Sequence, residues 1–216
     1  MADVIPYNRE EKSAQPSSLY LPYKSTEFRA PKQPLVILPH TLSEVTGPVY
    51  GHGRVLPIDA DLTKQHAGEP LGERIIVSGK LLDENGCPVP NTLIEIWQCN
   101  AAGRYHHPAD RTPAPIDPLF RGYGRTLTDA DGRYRFRTIQ PVPYTGRTPH
   151  IHYQVSTDGA LRLVTQLYVR GHPGNERDFL FRNLSASQQQ LVLTDFEPPA
   201  AGTDTRQARF DLVLRA

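Results

Sequence analysis

From Leu35 to its end, this chain is cut into short runs of β-branched and aromatic residues, each closed by turn residues. Arg74-Ile-Ile-Val-Ser-Gly-Lys-Leu-Leu82 leads to Asn85-Gly86, a pair that readily takes the positive φ of a tight turn. Thr92-Leu-Ile-Glu-Ile-Trp-Gln98 follows. In Arg133-Tyr-Arg-Phe-Arg-Thr-Ile139, Tyr134, Phe136 and Thr138 fall on one face and three arginines on the other, just after Asp131-Gly132. That period of two marks a strand with one face in a core. His150–Val155, Leu163–Val169 and Arg209–Leu214 are further strand candidates, and Ser187–Leu193 is the one short helix candidate. No internal repeat is visible. Many short strands at fairly even spacing predict an all-β sandwich or barrel. A length of 216 residues suits one such domain rather than two.

Proline divides the chain. It supplies 21 of 216 residues, against an average of ~5%. Seven prolines precede residue 49, which excludes regular helix or central strand there. Residues 1–34 are expected to form an extended proline-rich arm, ordered only where it lies on something, and residues 35–216 the main domain. Tyr20, Leu21 and Tyr23 make this arm more apolar than a plain linker requires.

A formal charge of +1 argues against general nucleic-acid binding. No apolar run approaches the ~18 residues of a membrane span, and the N-terminus shows no export signal. Cys87 and Cys99 form no disulfide or metal pattern, so a reducing, cytoplasmic setting is expected.

His150-Ile-His152 opens a strand. Alternate residues share a face, so both imidazoles point the same way, about 7 Å apart at the backbone. Such a pair can hold a metal or be a purely structural pair. Tyr105 and Tyr144 both sit in irregular Gly/Pro-rich segments, where a tyrosine is ordinarily a lid or packing residue. Taken with the histidines they suggest a site for a hard cation, because phenolate is an anionic oxygen donor known to bind ferric iron. A zinc or copper site on the two histidines is a poorer match, since no carboxylate accompanies them.

Several strings resemble the intradiol ring-cleavage dioxygenases, and within them the iron-bearing beta chains of the protocatechuate-cleaving branch. They are Ile96-Trp-Gln-Cys-Asn-Ala-Ala-Gly-Arg-Tyr105, Leu127-Thr-Asp-Ala-Asp-Gly-Arg-Tyr134 and Pro149-His-Ile-His152. Leu38–Pro48, Gly72–Val77, Pro88–Leu93, Thr165–Tyr168 and Arg209–Arg215 extend the likeness from about residue 20 to the end. The resemblance implies a β-sandwich of mixed sheets with long loops. It implies non-haem Fe(III) held by Tyr105, Tyr144, His150 and His152, with Tyr144 and His152 axial and Tyr105, His150 and a hydroxide equatorial. A departing Tyr144 phenolate would take a substrate proton. The implied reaction opens a catechol ring with O2 to a cis,cis-muconate, here protocatechuate to 3-carboxy-cis,cis-muconate. Arg147 would stabilise charge on the ring, and Tyr23, Arg147 and Gln166 would contact substrate. A related alpha subunit would complete a hetero-oligomer.

The resemblance has departures. Only five residues separate Tyr144 from His150, and Gly146 stands where the family's beta chains carry a tryptophan. Tyr123 is larger than usual at its position. These leave open another substituted catechol, of sulfocatechol or hydroxyquinol type. A non-catalytic transthyretin-like binding module is the alternative of a different class. His106 and His107 follow Tyr105 directly and are expected to be solvated or to lie behind a ligand. His40, His52, His66 and His172 show no metal-like grouping.

Overall fold

The computed structural model describes residues 15, 55–107, 110–144, 146–157, 160–199 and 201–215. The arm, Tyr23, His40 and His52 therefore lie outside the described residues, Gln15 excepted. Gln15 is buried, its amide N–H donating to the Val213 carbonyl (3.2 Å) and its side chain to that of Leu191 (2.8 Å).

Ten strands are described: β1 Arg74–Asp83, β2 Leu93–Trp97, β3 Tyr123–Leu127, β4 Arg133–Ile139, β5 His150–Thr157, β6 Ala160–Val169, β7 Leu193–Thr194, β8 Phe196–Glu197, β9 Arg206–Arg209 and β10 Leu212–Leu214. They form two mixed sheets. One joins β10, β1, β9 and β8, with β4 also on β1; the other runs β3-β2-β5-β6-β7. Two short α-helices are described, α1 Phe179–Arg182 and α2 Ala186–Val192, beside 3-10 turns at Pro57–Ala60 and Asn175–Arg177.

Strand alternation builds the core. Ile75, Val77 and Leu81 of β1 and Tyr134 and Phe136 of β4 face Ile94 and Ile96 of β2, Ile151, Tyr153 and Val155 of β5 and Leu167 of β6. Each such aliphatic side chain, fully buried, contributes about 1.5–3 kcal/mol. The opposite face of β5 carries His150, His152 and Gln154, and it too is buried. A cover of loops and helix therefore lies over the outer face of that sheet, and the polar residues sit beneath it. Tyr168, Phe181 and Val192 form a small second cluster that fixes α1 and α2 over β6.

The expected strand Arg209–Leu214 is broken in two. β9 and β10 both run parallel to β1, and Phe210 and Asp211 step aside between them. Hydrogen bonding to β1 continues across the break: the Phe210 amide donates to the Ser78 carbonyl (2.8 Å), and the Asp211 carboxylate accepts from the Lys80 amide (2.9 Å). A Cβ at Gly79 would lie 1.9 Å from the Phe210 oxygen, so only glycine permits this approach. The helix expected at Ser187–Leu193 starts one residue earlier, capped by Ser185 in a capping box with Gln188. Helix α1 carries no usable periodicity at four residues, and β3 was not foreseen as a strand.

Candidate metal centre

Cross-strand register lays out the site. Trp97 of β2 pairs with His152 of β5, and His152 with Gln166 of β6; His150 pairs with Tyr168. All of these side chains occupy the covered outer face.

His150 is fixed by its own backbone. Its Nδ1 lies 2.6 Å from the Thr148 carbonyl, so Nδ1–H donates there and Nε2 is left with a lone pair. His152 is fixed by neighbours. Its ring lies parallel to Trp97, with centroids 4.9 Å apart and an interplanar angle of 5°. Its Nδ1 is 3.3 Å from Gln166 Nε2. The donor and acceptor roles in this contact follow the tautomer of the ring.

Tyr105 arrives from the loop after β2. The Asn100 side chain accepts from the amides of Ala102 (2.9 Å) and Arg104 (3.0 Å), folding this loop back on itself. Gly103 has φ +78, and a Cβ there would meet the Pro143 oxygen at 2.9 Å. That glycine lets the Tyr105 loop lie directly against the Tyr144 segment. Asp110 Oδ2 accepts from the Tyr105 amide at 2.7 Å. Burial pushes the Asp110 carboxyl up, but hydrogen bonds from Thr112 and Tyr105 and the charge of Arg104 outweigh it and hold the group below the ordinary range.

Tyr144 and Arg147 exchange two backbone hydrogen bonds, Arg147 N–H to the Tyr144 carbonyl (2.7 Å) and the reverse (3.2 Å). Gly146, at φ +74, completes this tight connection. The Tyr105 and Tyr144 rings meet edge to face, 5.1 Å apart.

Four donor atoms converge. Tyr144 Oη is 3.4 Å from His150 Nε2, which is 3.1 Å from His152 Nε2, which is 3.1 Å from Tyr105 Oη. A cation about 2.1 Å from each donor imposes such spacings: about 3.0 Å between ligands at right angles and about 3.4 Å at a tetrahedral angle. Among the described residues no group of three His, Cys, Asp or Glu side chains converges, so a carboxylate- or thiolate-rich site is not formed there. Cys99 is buried, its thiol pushed up to about 11 by desolvation, and it faces the Val142 carbonyl. The polar atoms that do converge come from two phenols and two imidazoles, a set that would suit a hard, highly charged cation.

A buried polar network stands behind the donors. Arg147 Nε donates to Asp178 Oδ2 at 2.8 Å, with the two side chains 1% and 0% exposed. Arg147 Nη2 donates to Gln166 Oε1 (2.7 Å) and the Tyr168 hydroxyl (3.2 Å), and that hydroxyl donates to Gln166 Oε1 (2.6 Å). Burial works against the Arg147 charge, but Tyr168, Tyr144 and Asp178 around it hold its pKa above the ordinary arginine value. Burial likewise keeps Tyr168 protonated, against the pull of Arg147. Gln166 is fully buried. His106 and His107 are exposed, and His172 packs on Thr148 through Nδ1 (3.1 Å). Sequence reasoning missed Trp97, Tyr168 and Asp178. Trp97 and Tyr168 take their places in the site through cross-strand pairing with His152 and His150.

A family model described as "Dioxygenase" matches residues 45–216, and one described as "Protocatechuate 3,4-dioxygenase beta subunit N terminal" matches residues 7–41. The chain is 42% identical to a protocatechuate 3,4-dioxygenase beta chain of Burkholderia cepacia, over 94% of this chain and 91% of the other. It is 32% identical to a catechol 1,2-dioxygenase of Acinetobacter baylyi, covering 71% of this chain and 52% of that relative, so it spans about half of that longer protein. An intradiol ring-cleavage dioxygenase structure from Tetranychus urticae shares the fold, with a TM-score of 0.60 at 22% identity, over 78% of this chain and 91% of that one. On these matches the chain belongs to the intradiol ring-cleavage dioxygenases.

Proposed function

We propose that the chain holds one ferric ion through Tyr105, Tyr144, His150 and His152 and cleaves protocatechuate with O2 to 3-carboxy-cis,cis-muconate. The observation that carries this is the convergence of two Nε2 and two Oη atoms at 3.1–3.4 Å on one covered sheet face. Two phenolates offset two of the ion's three positive charges. Ferric iron, when bound, draws electron density from a chelated catecholate so that a ring carbon reacts with O2.

The protein's part is to place groups. Thr148 keeps the His150 lone pair aimed inward, and Trp97 covers one face of His152. Tyr144, partly exposed where His150 and His152 are buried, is the donor placed to take a proton from an arriving substrate hydroxyl and swing aside. Arg147 holds a fixed positive charge behind the site, suited to negative charge developing on the ring. We assign Tyr23 to the substrate's ring substituent and Gln166 to support of His152 and the substrate. Residues 1–34 form an arm and 35–216 the catalytic domain in this reading.

The likeness to a beta chain supports a second, related alpha subunit as partner. No helix among the described residues is long and apolar enough to cross a membrane. The test is to purify the chain alone and with its candidate partner, and to measure iron, visible absorption, mass in solution and muconate formation from protocatechuate, hydroxyquinol and sulfocatechol. A colourless, iron-free but folded protein would leave only the binding-module reading. Turnover confined to another catechol would replace the substrate and keep the chemistry. A fully active homo-oligomer would remove the alpha subunit.

A further inference from the structure

We propose that Asp178 is a positioning residue for the centre, acting through Arg147 and Gln166 on His152. This rests on the reading of His152 as a ligand. Asp178 lies on the segment after β6, far in sequence from every donor. Its two carboxylate oxygens face different ways. Oδ1 accepts from the amides of Leu180 (3.0 Å) and Phe181 (3.1 Å), which caps α1. Oδ2 accepts from Arg147 Nε (2.8 Å) and the Thr148 amide (3.0 Å).

Capping alone needs one oxygen and no arginine, and most caps are solvated. Here the second oxygen is spent on the two residues that lead into His150, at a place where both charged side chains are 1% exposed or less. Burying an ion pair gives little net stability over an apolar pair, so geometry is the better account of why it is there. With Nε held by Asp178, the planar guanidinium is fixed and Nη2 is aimed at Gln166 Oε1. The Phe179 ring lies 5.5 Å from the guanidinium carbon and closes over it. Arg147, Tyr168 and Gln166 then form a closed triangle of hydrogen bonds, and the amide's free end meets His152 Nδ1. The carboxylate thereby bears on an in-plane contact of the His152 ring, through the guanidinium and the Gln166 amide.

The test compares the full chain with Asp178→Ser, Arg147→Met and the pair Arg147→Met/Asp178→Ser, each iron-loaded. Serine keeps an oxygen for the helix amides and cannot reach Arg147. Asp178→Ser should bind iron with wild-type stoichiometry, shift the visible phenolate-to-iron band, and lower kcat by about tenfold or more with KM within about threefold. An unshifted band with kcat within about twofold of wild type would reduce Asp178 to a helix cap and overturn the proposal. Should Asp178→Ser not fold, the pair decides, since it leaves no buried charge unpartnered. Equal kcat and band in Arg147→Met and the pair support action through Arg147, and a further loss in the pair overturns it. The imidazole nitrogen signals of His152 in the 15N-labelled, metal-free chain should also move in Asp178→Ser. That signal needs no iron, so a wild-type chain that takes up none sinks the functional reading while the relay is still judged, unmoved signals counting against it.

Discussion

The imidazole Nδ1 of His150 sits 2.6 Å from the carbonyl oxygen of Thr148, two residues earlier in the chain. The acceptor is a main-chain atom, so the contact does not depend on the identity of the Thr148 side chain. The ring is held in one tautomer by the turn that starts β5. His150→Ala should weaken ferric iron binding by about a hundredfold or more, since loss of even a supporting contact costs a metal site ~10–100-fold. The core behind β5 does not depend on this ring, so cooperative unfolding should persist. Metal analysis and thermal melts check both halves.

Tyr105→Phe and Tyr144→Phe each remove one phenolate and should each change the visible band, by different amounts. Tyr105 is buried and fixed through its loop, whereas Tyr144 is partly exposed. The Tyr105 change is expected to cost more iron affinity, read by competition with a chelator. Identical spectra for both variants and the wild type would remove the tyrosines from the donor set.

Gly103→Ala tests how the two tyrosine loops meet. The position has φ +78, and the new methyl would lie 2.9 Å from the Pro143 oxygen. Stability should fall by about 1–3 kcal/mol, the range for a residue forced into the left-handed region. Iron affinity should fall with it, since the methyl pushes Tyr105 and Tyr144 apart. Alanine at Gly146 meets no atom within 4 Å and should carry only the backbone strain, sparing the Tyr105 loop.

Acid should loosen the Tyr105 loop before the core. The Asp110 carboxyl is held below its ordinary value, chiefly by hydrogen bonds that outweigh burial. A depressed carboxylate gives stability that is full above its unfolded pKa, about 4, and is lost as pH falls through the lower folded value. The protection of the Tyr105 amide against hydrogen exchange, relative to its intrinsic rate, should fall across that window in the wild type. In Asp110→Asn its protection relative to the intrinsic rate should already be reduced at pH 6 and change little below it.

Much of this was legible in the sequence because it is local. The alternation of Tyr134, Phe136 and Thr138 gives a strand whatever it packs against, and His150 and His152 share a face by pleat alone. Trp97 and Gln166 could not be placed beside His152 so easily, because register between strands is set by distant turns and by the whole hydrophobic pattern. Asp178 reads as an ordinary cap until its second oxygen is seen on Arg147. The break at Phe210–Asp211 was hidden because its backbone partners lie on β1, more than a hundred residues away. Both faces of β5 are buried, so polarity marked its outer side as different but not as covered.

The tight connection between Tyr144 and Arg147 sets a tempo. One of its ends is moored to a buried charge pair, which restrains the backbone at Arg147. An excursion of the phenol would then be a rotation about its own side-chain bonds. Rotations of exposed side chains take picoseconds to nanoseconds, whereas loops rearrange over nanoseconds to microseconds. In the proposed reading, a ring hung on so short a tether would leave and return without waiting for a loop to open.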